Sequence, residues 1–225
     1  MKKQPVNLHS SRFVKIKSND KFIVEMQYPL LGMKNAISEC FVRNEVYEML
    51  SIAQSKLPSG YKIKIWDAWR PFDLQKELYE KYQYEIIKIF HLESASEEKQ
   101  QQIVKQFTSI PENNRYVAPL HTTGGAVDVT IVDADGNELD MGTGFDYFGA
   151  EPETQYFEKH PELNTRARDN RRLLVKIMTE SGFVNLPSEW WHYDYGDNQW
   201  SHVVDKPILY PGVFTFEEIY QINNF

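Results

Sequence analysis

One cysteine, Cys40, in a chain of 225 residues rules out an internal disulfide and any multi-cysteine zinc site. A metal held here would need His, Asp or Glu ligands. Nothing in "ISECFVR" marks Cys40 as a nucleophile, and it reads as a small buried hydrophobe. Long apolar runs are missing too: none approaches the roughly 20 residues of a membrane helix. "MKKQPVNLHSSRF" has no apolar segment behind its lysines, so no secretory signal is read. A cytoplasmic location is the expectation, although a chain trimmed of a leader would look the same. Positive charge is short, with 25 Lys and Arg against 32 Asp and Glu and a net charge of −7. That scattered minority argues against a nucleic-acid partner, which calls for a basic surface.

Several motifs are absent as well. There is no G-x-S-x-G elbow for a serine hydrolase. "MGTGFDYFG" has neither the glycine order nor the following lysine of a phosphate loop, and "DADGNELD" lacks the ligand register of an EF-hand and reads as a turn. No repeat, low-complexity tract or linker breaks the chain. What is there, 41% hydrophobic and 14% aromatic residues, suits a single packed domain over residues 1–225.

Apolar residues Val46, Met49, Leu50, Ala53 and Leu57 recur at helical spacing, with Asn44 as the expected N-cap and Pro58 as a stop. "YKIKIWDAW" alternates at period two and reads as a half-buried strand ending near Arg70; Pro71 then suits the start of a helix through "FDLQKELYEKY". Residues 85–114 read as a helical excursion, with Ser94 and Glu97 spaced as a capping box. "AVDVTIVDADGNELDM" predicts a hairpin turning at Asp135-Gly136. A helix is expected from about Thr165 to Gly182, with Leu173, Leu174, Ile177 and Met178 on one side, and "EWWHYDY" reads as a strand. Helices and short strands without regular βαβ alternation predict an α+β fold with a mainly antiparallel sheet flanked by helices.

In "PLHTTGGAVDV" the Gly124-Gly125 pair permits a tight turn that lets His121 fold back over the following strand, where Asp128 points away from Val127 and Val129. His121 and Asp128 could supply two of the three ligands that a catalytic zinc keeps, leaving a position for water. His192 is the best third, with Glu189 three residues before it as a candidate general base. In a straight strand those two would face opposite ways, so a bulge or turn must intervene. Taken singly, each has a plainer explanation: a histidine before a glycine turn is more often a loop residue, and "EWWH" could be an aromatic sheet edge. His9, His91, His160 and His202 have no acidic or histidine partner at persuasive spacing.

Together, "WDAWRP", "HTTGGAVDVT", "MGTGFDYF", "DNRRLL" and "SGFVNLPSEWWHYDYGD" resemble, in order and approximate spacing, the zinc-dependent D-alanyl-D-alanine dipeptidases, over about Tyr61 to Asp197. The resemblance implies a compact α+β domain with an antiparallel sheet, one catalytic zinc on His121, Asp128 and His192, and Glu189 as catalytic base. It further implies that Arg70 stabilises the tetrahedral oxyanion and that Asp146 pairs with the ammonium group of a small dipeptide substrate. One position departs: Pro119 stands where the family pattern has serine, and offers neither hydroxyl nor N–H. The activity implied is hydrolysis of D-alanyl-D-alanine to two D-alanines. The alternatives are a D,D-carboxypeptidase on cell-wall peptides and a non-enzymatic zinc-binding module, although a purely structural site needs neither Glu189 nor Arg70.

Overall fold

The structure, a computed structural model, describes residues 11–105, 108 and 110–223; His9 lies outside them. In chain order the elements are β1 (Phe13–Ile16), β2 (Phe22–Val24), α1 (Gln27–Leu30), β3 (Cys40–Arg43), α2 (Asn44–Ser55), β4 (Lys62–Asp67), α3 (Phe72–Ile89) and α4 (Glu97–Val104). A 3₁₀ turn over Leu120–Thr123 leads into β5 (Ala126–Val132), followed by α5 (Tyr156–Lys159), α6 (Thr165–Thr179), β6 (Val184–Asn185), β7 (His192–Asp194), α7 (Asn198–Val204) and α8 (Phe216–Asn223).

The main sheet has the order β2-β4-β5-β7-β6, and every pairing in it is antiparallel except β2 with β4. A second, two-stranded sheet pairs β1 with β3. The fold is therefore α+β with a mainly antiparallel sheet, as expected. Strand β5 is buried at all seven positions, which suits its β-branched run at the sheet centre. Its odd positions Val127, Val129 and Ile131 join one core with Ile63 and Ile65 of β4, Val46, Leu50 and Ala53 of α2, and Leu174, Ile177 and Met178 of α6. Each such fully buried Leu, Ile or Val side chain contributes about 1.5–3 kcal/mol. Period two then sends the even positions, Asp128 among them, to the opposite face.

Local expectations fared unevenly. The cap of α2 is Arg43, extended and without a side-chain cap bond, while Asn44 is the first helical residue and bonds Glu48 instead. Ser96, not Ser94, caps α4, accepting from the Lys99 N–H, so the expected capping box is not formed; two serines spaced two apart offered competing starts. Gln106 and Phe107 of the predicted helix lie outside the described residues. Helix α3 runs on to Ile89, into the segment read as an excursion. The hairpin is reduced: the turn forms with Gly136 at φ +87, but its return arm makes one bridge, Val132 to Glu138, with bonds from the Asp133 and Leu139 N–H groups beside it, on the part of β5 that β7 does not cover. "EWWHYDY" is a strand only at His192–Asp194.

Candidate functional site

Residue register builds the polar face. Asp67 of β4, Asp128 of β5 and His192 of β7 are successive cross-strand partners, so three neighbouring strands present them side by side on one face. A register shift between Ile65 and Asp67 brings Asp67 onto that face. Glu189 precedes β7 in a turn closed by the His192 N–H donating to the Glu189 carbonyl at 3.3 Å. That turn meets the spacing difficulty: the Glu189 carboxylate lies 3.7 Å from His192 Nδ1.

His121 arrives from the 3₁₀ turn. Pro119 caps it at φ −52, a value proline favours, and its carbonyl accepts from the Thr122 N–H and hydroxyl. Buried Arg43 holds the far end, donating through Nε to the Thr123 carbonyl at 2.8 Å. Gly124 then turns at φ +73, where a Cβ would stand 2.3 Å from the Phe13 ring; a Cβ on Gly125 would stand 2.3 Å from the Tyr195 carbonyl. Both glycines are thus required sterically.

His121 Nε2, Asp128 Oδ1 and His192 Nδ1 converge, at separations of 3.2 Å between the two nitrogens and 3.4 and 3.0 Å from each to the oxygen. The outer nitrogens are already committed. His121 Nδ1 donates to the Ala68 carbonyl at 2.7 Å, and His192 Nε2 to Asp194 Oδ1 at 2.7 Å. When both rings are neutral in these tautomers, each turns a lone pair toward the Asp128 carboxylate, and that arrangement calls for a cation between them. Ligand atoms about 2.1 Å from a tetrahedral ion stand about 3.4 Å apart, so the three fit a metal, and all three residues are buried.

Burial would raise the Asp128 carboxyl pKa, but His121 and His192, in their protonated, donating forms, outweigh it and hold it well below the usual range. Glu189 goes the other way: enclosure is the largest cause of its raised pKa, and Asp128 adds to it. A carboxyl whose pKa is raised in this way can take and return a proton nearer neutrality.

Arg70 lies beyond β4, not at its end, and is fixed on every side. It makes a double contact with Asp67 Oδ2 at 2.9 and 2.7 Å, and donates to Gln75 at 2.8 Å and to the Tyr28 hydroxyl at 3.2 Å. Burial opposes its charge, but Tyr28, Asp67 and Asp128 overcome that and raise its pKa well above the ordinary value. Asp146 sits at φ +54, a left-handed conformation uncommon for a side-chain-bearing residue. Its carboxyl accepts from the Tyr82 hydroxyl, and burial, first among the causes, pushes its pKa up to about 7. Arg171 of α6 ties the segment carrying it, donating to the carbonyls of Met141, Glu151 and Glu153 at 2.8 to 2.9 Å.

A cavity of about 570 Å³ gathers all six sequence-derived residues, Arg70, His121, Asp128, Asp146, Glu189 and His192, on one wall system. A family model described as D-ala-D-ala dipeptidase, Peptidase M15, matches residues 30–211. The chain belongs to this family. The M15 peptidase is similar to the D-alanyl-D-alanine dipeptidase of Synechocystis, with 31% identity over 63% of this chain and 62% of that one. The Escherichia coli dipeptidase is 35% identical over 64% of this chain and 59% of its own length, and that of Enterococcus faecalis 30% over 69% and 67%. The match to the first two thus spans about three fifths of their length.

Residues missed at the sequence level are Asp194, Asp67, Gln75, Tyr28 and Tyr82. Asp194 had a signal: in "HYD" it is two residues from His192 and so on the same strand face. Asp67, in "WDAWR", precedes Arg70 by one helical turn's spacing. Among the described residues no helix is long and apolar enough to cross a membrane.

Proposed function

We propose that this M15 peptidase is a zinc-dependent hydrolase that cleaves D-alanyl-D-alanine into two D-alanines. The observation that carries the reading is the convergence of three ligand atoms with a carboxylate, Glu189, 3.7 Å from one of them. Two nitrogens and one oxygen, open to a cavity, are a ligand set of catalytic zinc sites. When bound there, the ion supplies Lewis acidity to an attacking water and to the scissile carbonyl.

The chain's own groups do the rest. Glu189 takes the proton of the attacking water and delivers it to the departing amine. Arg70, held rigid by Asp67, Gln75 and Tyr28, offers fixed positive charge to the developing oxyanion and needs no rearrangement to do so. Asp146, positioned by Tyr82, receives the substrate ammonium group and so selects a free dipeptide over the end of a longer chain. One catalytic domain carries all of these roles.

Turnover of free D-alanyl-D-alanine against a cell-wall pentapeptide ending in the same two residues tests the substrate assignment. Preference for the dipeptide supports it, and preference for the pentapeptide would replace it with D,D-carboxypeptidase activity.

A further inference from the structure

A second cavity, of about 240 Å³, adjoins the first. The two have Tyr82, Asp146, Ser188 and Glu189 in common. Beyond those residues the second cavity is lined by the rings of Tyr147, Phe148 and the almost fully buried Trp191, together with Gly149, Pro152 and Glu153. Trp191 is fixed by edge contact with Trp190 at 5.4 Å and by Phe145 at 6.0 Å, and Phe148 packs edge-on against Tyr82 at 5.3 Å.

Resting on the dipeptidase reading, we infer that this cavity receives the side chain of the substrate's first residue and admits a bulky aromatic one there. The first residue's Cα carries three groups whose places are linked. Its ammonium group goes to Asp146, and its carbonyl carbon is attacked beside Glu189. The side chain leaves the same Cα, between two residues that line both cavities, so its path opens into the second. The methyl group of D-alanine leaves that space unfilled. A ring entering it meets aromatic walls, against which edge-to-face contact adds to the gain from burial. Tyr147 is half exposed, an apolar surface that such a ring would cover. The substrate class is then a free dipeptide of the form D-Xaa-D-Ala, with Xaa reaching the size of phenylalanine.

The test is calorimetric titration of metal-loaded Glu189→Gln protein, which holds dipeptides without consuming them, with D-Ala-D-Ala and D-Phe-D-Ala. D-Phe-D-Ala should bind at least as tightly. Removing a wall with Tyr147→Ala should lower the affinity ratio of D-Phe-D-Ala to D-Ala-D-Ala about tenfold, the scale of lost apolar contacts in a pocket. Gly149→Leu should lower it too, since a Cβ on this lining residue meets the flexible Glu151 carboxylate at 2.3 Å and the Tyr147 ring at 3.0 Å, and the added side chain takes space at the cavity wall. Binding of D-Ala-D-Ala with weaker binding of D-Phe-D-Ala would overturn the inference and leave the dipeptidase reading standing. An unchanged ratio in both variants would also overturn it. Failure of both dipeptides to bind would overturn the dipeptidase reading, and this subsite with it.

Discussion

Asp194 Oδ1 stands 2.7 Å from His192 Nε2, two residues further along the same strand. The bond fixes which ring nitrogen carries the proton and leaves Nδ1 directed at His121 Nε2 and Asp128 Oδ1. The strand that supplies a proposed ligand thus supplies its support as well, because period two places both on one face.

Asp194→Ala should therefore cost about 10- to 100-fold in metal affinity, the usual price of removing such a support. Competition with a chromogenic chelator measures it. An affinity equal to that of the unaltered protein would show that ring orientation is set elsewhere.

Glu189→Gln separates binding of metal from chemistry. The amide keeps the size of the side chain but cannot take a proton, so metal content should stay stoichiometric while turnover falls by about 10²- to 10⁴-fold. Metal analysis alongside D-alanine release reads both.

Asp146 predicts a pH effect with a definite sign. Its pKa is raised to about 7, with burial as the first cause, so the carboxylate is charged above that pH and neutral below. The substrate α-amino group, with pKa about 8, stays charged through the same window. KM for a free dipeptide should rise as pH falls through 7, and Asp146→Asn should give a high KM with this limb abolished. N-acetylated dipeptide should show no such limb. Its presence there would remove Asp146 from the role.

Gly124→Ala should destabilise the protein by about 1–3 kcal/mol, through strain at positive φ together with forced displacement of Phe13. A thermal melt measures the loss. Because the same turn presents His121, metal affinity should fall with it.

Much of this site was legible because its parts are local. His121, Gly124, Gly125 and Asp128 fall within eight residues, and glycine freedom and strand period suffice to bring the two ligands together. His192 and Glu189 were legible as a pair, but their geometry was not: residues 189–191 form a turn, and only the cross-strand pairing of His192 with Asp128 shows why β7 begins where it does. Arg70 and Asp146 came only through family resemblance: the partner of Asp146, Tyr82, lies 64 residues away, and Arg70 joins the nearby Asp67 and Gln75 to Tyr28, 42 residues away. The hairpin at Asp135-Gly136 failed as a strand pair for a related reason. Local turn chemistry was right, but the far part of β5, Ala126–Asp128, pairs with β7, and the returning arm bonds only the stretch next to the turn.

The most direct measurement is release of free D-alanine from D-alanyl-D-alanine by zinc-loaded protein, beside a chelated sample and a chelated sample reloaded with zinc. Release that stops on chelation and returns with the metal is the predicted result. Release unaffected by chelation, or no release from protein carrying stoichiometric zinc, would contradict it.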